Sequence, residues 1–160
     1  MHNLHIVRIT STSAEDACAD VENQLAEWGN ENNWRTICGS VCEDDTTFQS
    51  GDGRWNTDGF TVDKLNTMVR EWIYNPSVYE PSWDKIIKGV EEIGPYDWYS
   101  AKKYCEEQYH KKSIGTDLFD IRTHEYYSWR IDECGVTAMD MYSPEELDEK
   151  TYYVFVDMHS

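Results

Sequence analysis

"NLHIVRIT", residues 3–10, is the stretch on which the reading of the fold turns. In an extended chain Leu4 and Ile6 fall on one face, Val7 and Ile9 on the other. A strand that is apolar on both faces belongs inside a sheet that is covered on each side. Just beyond it, Ser13 can cap a helix running to about Trp28, with Ala14, Ala17, Cys18, Val21, Leu25 and Trp28 at helical spacing and Gly29 as its stop. "NWRTICGSVC" (33–42) reads as a second strand, which makes the opening a β-α-β unit.

Residues 43–60, "EDDTTFQSGDGRWNTDGF", form a long loop with two Asp-Gly turn signals. Three helices are predicted after it. Thr61–Tyr74 aligns Val62, Leu65, Val69, Trp72 and Ile73; Ser82–Ile93 aligns Trp83, Ile86, Ile87, Val90 and Ile93 and stops at Gly94. Pro95 suits the first turn of the third, which reaches about Lys112 with Trp98, Ala101, Cys105 and Tyr109 in line. "EYYSWRIDE" (125–133) alternates, with Tyr127, Trp129 and Ile131 inward and Ser128, Arg130 and Asp132 outward. "SPEELDEK" (143–150) carries a helix start, and "TYYVFVDM" (151–158) is again apolar on both faces.

The expected fold is α+β: a mainly antiparallel sheet of about four strands covered by helices, in the order β-α-β, helical block, β-α-β. That order resembles a split β-α-β, ferredoxin-like arrangement with a helical insertion at about 61–112. At 160 residues the chain is read as a single domain, 1–160.

Composition narrows the class. Aromatics reach 14%, with seven Trp and eleven Tyr, which an acidic disordered chain would lack. No run of ~18 apolar residues offers a membrane span. The N-terminal residues show no basic stretch followed by an apolar one, so no secretion signal is read there. Five scattered cysteines, an odd number, point to reduced thiols and a cytoplasmic setting rather than a disulfide framework.

Charge is the strongest signal. The net charge is −17, and residues 1–60 hold 11 acids against 3 Lys/Arg, residues 61–112 hold 9 against 8, and residues 113–160 hold 11 against 3. The acid lies in the two outer thirds, and the middle is nearly neutral. Such a layout serves solubility or a basic partner. It disfavours direct nucleic-acid binding, which needs a basic stripe to neutralise phosphates.

Motif chemistry is mostly excluded. On a strand, Cys38 and Cys42 stand ~13 Å apart at ~3.3 Å per residue, too far to share a zinc bound at ~2.3 Å. "GDGRWNTDGF" fails as a calcium loop, because Arg54 takes the first ligand position and Leu65 the last. No nucleophile elbow or phosphate-cradling glycine loop is present. His2 and His5 are read as part of a frayed terminus, with His110, His124 and His159 distant from them in sequence. No cofactor or metal is called for.

Three functions follow. The first is a non-catalytic, inhibitor- or nucleic-acid-mimic-like protein that binds a basic partner through Glu43, Asp44, Asp45, Asp132, Glu133, Glu145 and Glu146, with Trp55 as an aromatic anchor. The second is a small enzyme or ligand-binding domain with a site at His124, His110 and nearby carboxylates. The third is an oligomeric subunit whose aromatic excess covers a self-interface.

Overall fold

The apolar run at the start of the chain forms the middle strand of a five-stranded sheet. The computed structural model describes residues 1–32, 36–39, 46–51, 53–79, 83–95, 97–110, 117–118, 121, 127–139 and 147–159. Its elements are β1 (His2–Thr10), α1 (Ala14–Glu31), β2 (Thr36–Gly39), α2 (Val62–Tyr74), a 3-10 turn (Pro76–Val78), α3 (Trp83–Ile93), α4 (Trp98–His110), β3 (Ser128–Asp132), β4 (Gly135–Ala138) and β5 (Thr151–His159). The class is α+β, and the sheet is mixed and ordered β2-β5-β1-β3-β4. Among the described residues no helix is long and apolar enough to cross a membrane.

Both strands that read as two-sidedly apolar are interior. Leu4, Ile6, Val7 and Ile9 of β1 and residues 153–158 of β5 are all buried. Trp28 of α1 lies 4.8 Å from the Trp129 ring, which places α1 over the face that also carries His5 and Val7. On the opposite face Phe48 meets Phe155, ring centroids 6.1 Å apart. Ser128 shares that second face and donates to the Ile121 carbonyl (3.5 Å); it is buried, not outward as its alternation with Trp129 implied.

The sheet differs from the expected one in count and topology. A β3–β4 hairpin adds a fifth strand, which the short Gly135–Ala138 stretch did not signal. The opening unit survives as a split β-α-β: β1 and β2 both run antiparallel to β5, which lies between them. The strand in that gap is the last of the five, and β3 pairs in parallel with β1 on the other side. This is not the all-antiparallel ferredoxin order. Of the helix expected over 143–150, residues 143–146 lie outside the described residues, and 147–150 enter β5 through a turn.

The helices need four corrections. Gly29 does not stop α1 but lies buried inside it; Asn32 ends the helix, its backbone N–H and its side-chain amide both donating to the Trp28 carbonyl. Pro95 lies in a turn, and α4 is instead capped by Asp97, whose Oδ1 accepts from Ser100 N at 3.0 Å. Ile87 and Trp98 are exposed rather than turned inward. The cap expected of Ser13 on α1 is made as read, and Thr61 caps α2 in the same way, each side chain accepting from the backbone N–H three residues on.

One polar side chain completes the sheet. The described part of β2 covers β5 only opposite residues 157–159. At Tyr153, Asn66 of α2 takes the place of a neighbouring strand: its Nδ2 donates to the Tyr153 carbonyl (3.0 Å) and its Oδ1 accepts from Tyr153 N (2.7 Å). A primary amide presents the same donor and acceptor as a peptide group, so a buried strand edge is satisfied without a strand.

Candidate functional site

Carboxylates from three separate stretches meet at the end of the sheet where β1 and β3 finish and β5 begins. Register sets Ile9 beside Ile131 and Thr10 beside Thr151. Asp132 and Glu133, in the β3–β4 turn, therefore lie at the same end as Asp148 and Glu149, in the turn entering β5. Ser11 N donates to the Lys150 carbonyl (2.9 Å), which ties the start of α1, with Glu15 and Asp16, to the same place. All six carboxylates are exposed.

Local geometry aims three of these groups. Asp132 accepts from Cys134 N (2.8 Å) and faces Arg130 Nε at 2.8 Å, while Gly135, at φ +89°, makes the tight turn possible. The Thr151 hydroxyl, and then the Lys150 N–H, hold the Asp148 carboxyl below the usual carboxylate range. The Thr12 and Ser13 hydroxyls do the same for Asp16. Hydrogen bonds to the charged form stabilise it, so the charges of Asp16 and Asp148 persist into acid.

Cations at this end are fewer than the acids. Arg8, Arg70 and Arg130 are half-buried, and Arg70 donates to the Asp148 and Thr151 carbonyls at 3.2 and 2.6 Å. Lys150 is exposed, and the Arg130 side chain is exposed enough to share the surface with Asp132, its ion-pair partner.

Of the residues expected to bind a partner, Asp132 and Glu133 belong to this rim. Glu43, Asp44, Asp45, Glu145 and Glu146 lie outside the described residues. Trp55 is half-buried against the core instead of projecting as an anchor. Its loop is fastened by Asp58, which accepts from Ser50 N, Ser50 Oγ (2.7 Å) and Trp55 N (2.8 Å). Reading single acidic runs missed Glu15 and Asp16 as members of this surface, since only the strand register and the Ser11–Lys150 hydrogen bond bring them to it.

The histidines were misjudged. His2 and His5 are strand residues paired across β1, not a frayed end. His2 Nδ1 lies 3.1 Å from Oδ2 of the fully buried Asp157, and its ring meets that of His159 edge-on at 4.8 Å. His5 is fully buried, accepts from Trp129 Nε1 at 2.8 Å and stacks on that ring. Burial pushes its pKa down to about 3, so it stays a neutral imidazole. No group of three potential metal ligands occurs among the described residues. His124 and the side chain of His110 lie outside them.

Cys18 is a buried free thiol pushed up to about 12, chiefly by burial, which makes it inert. Beyond the sheet, α3 and α4 pack on each other where Gly89 meets Tyr104. A groove of about 330 Å³ opens there, lined by Val90, Glu91, Gly94, Pro95, Trp98 and Ala101. Comparison with known proteins returns no matching family model, no matching curated protein and no matching solved structure.

Proposed function

We propose that this is a non-catalytic acidic interaction protein that binds a basic partner protein through the carboxylate rim at one end of its sheet. The observation that carries the reading is the excess of acid: Glu15, Asp16, Asp132, Glu133, Asp148 and Glu149 are all exposed at this end, against an exposed Lys150 and a partly exposed Arg130 that pairs with Asp132. A surface of this kind steers a positively charged partner and raises its association rate, most strongly at low salt. Carboxylates spread over such a surface can stand in for backbone phosphates, so the partner class is a nucleic-acid-handling protein whose basic channel the rim occupies. Glu43, Asp44, Asp45, Glu145 and Glu146 also contribute to binding in this proposal. The free thiols Cys18, Cys105 and Cys134 accord with a reducing, cytoplasmic setting.

The test is retention from lysate at low salt, elution along a salt gradient, and repetition with charge-reversed protein. A basic nucleic-acid-binding protein is expected to elute at moderate salt. Glu133→Lys with Glu149→Lys should lose it, and Lys102→Glu, on α4, should not. Retention that ignores salt, or that survives the double reversal, would rule the proposal out.

A further inference from the structure

We propose a second interface, at the α3–α4 hairpin, through which two copies of this chain associate around a twofold axis. The hairpin is set apart from the main core, which among the described residues includes none from α3 or α4. It carries the most exposed aromatic side chains of the described chain: Trp98 is 80% and Tyr99 81% exposed, beside Ile87 at 54%. Trp98 is also a wall of the apolar groove formed with Val90, Gly94, Pro95 and Ala101. A knob that adjoins its own hole is what a twofold contact requires, because the axis then places each copy's knob in the other's hole.

Area and charge both select a second copy as the occupant. A Trp or Tyr contributes ~150–250 Å² when buried, so these two and Ile87 supply roughly half of the ~800 Å² per partner that a stable interface needs. Lys85, Lys88, Glu91 and Glu92 on α3 and Lys102 and Lys103 on α4 are exposed on the same two helices and mixed in charge. Two chains of net charge −17 repel wherever their acidic thirds meet, whereas residues 61–112 carry only −1. The hairpin is the surface on which copies can approach with least repulsion, and the carboxylate rim remains free for the basic partner.

Light scattering on the eluting peak of a sizing column tests this with the full chain. The expected mass is twice the 18.8 kDa of one chain, unchanged or favoured as salt rises, since screening relieves the repulsion. Trp98→Ser combined with Tyr99→Ser should halve the mass while circular dichroism stays the same, because side chains this exposed do not hold the helix. A filled groove is the independent check: Ala101→Gln should also give the single-chain mass. A wild-type protein of single-chain mass would overturn the proposal and leave the face to a different apolar partner. A dimer that survives both variants, or that dissociates as salt rises, would overturn it as well.

Discussion

His5 makes stability depend on pH, in the same direction as the hydrogen-bonded carboxylates Asp16 and Asp148. Its pKa falls from the ordinary 6.5 to about 3 on burial, so between those values the unfolded chain binds a proton that the folded one refuses. Stability contributed by the neutral imidazole is complete above 6.5 and is lost as pH falls toward 3, at ~1.4 kcal/mol per unit. Protonating the many carboxylates over part of that range relieves repulsion, so the histidine is isolated by difference: thermal midpoints of His5→Gln should fall less steeply with acid than those of the wild type. Asn66 gives a second prediction. Asn66→Ala leaves the Tyr153 N–H and C=O without the side chain that completes them, at a cost of about 2–4 kcal/mol in urea unfolding. Leu4 and Ile6 on one face with Val7 and Ile9 on the other located the strand, but no sequence pattern tells that the histidine among them meets a tryptophan 124 residues away. The role of Asn66 was equally hidden, since within its helix it reads as an ordinary polar residue.

Element positions were legible where local chemistry decides them. The Ser13 cap and the apolar stripe of α2 are short-range facts, and they stand in the structure. Gly29 shows where local reading fails: a glycine is a good helix stop, but here the chain stays helical and buried through it, and Asn32 provides the end. In α3–α4, Gly89 serves contact rather than flexibility. A Cβ there would stand 2.2 Å from the Tyr104 ring. Alanine normally gains ~1 kcal/mol over glycine inside a helix, so Gly89→Ala should stabilise the protein by about that amount in a Tyr104→Ala background. In the wild type it should yield clearly less or destabilise, and a double-mutant cycle by chemical denaturation reads the difference. Equal effects in both backgrounds would show that the ring moves aside freely.

At the scale of the molecule, all five strands come from residues 2–39 and 128–159, within the two acidic thirds, while α2, α3 and α4 come from the near-neutral middle. The charge count therefore foretold which parts share the sheet, although not the order of its strands. Pairing order depends on contacts between distant residues, and no window of sequence contains them. Net charge on this scale strains the folded state. Added sodium chloride should raise the thermal midpoint, most steeply below ~0.1 M, where screening lengths exceed ~10 Å; a flat or falling midpoint would mean that the acids are already neutralised by neighbours. The place of β5 has one more consequence. It divides β1 from β2, yet it is the last of the five to be translated, so as the chain is made neither neighbour has its partner. A nascent chain can form α1 and the helical hairpin early, but the pairing of β1 with β5 must wait for the chain between Thr10 and Thr151 to be made. Such long-range closure is slow, and the interval is the time when its unpaired apolar strand is most open to chaperones or to aggregation.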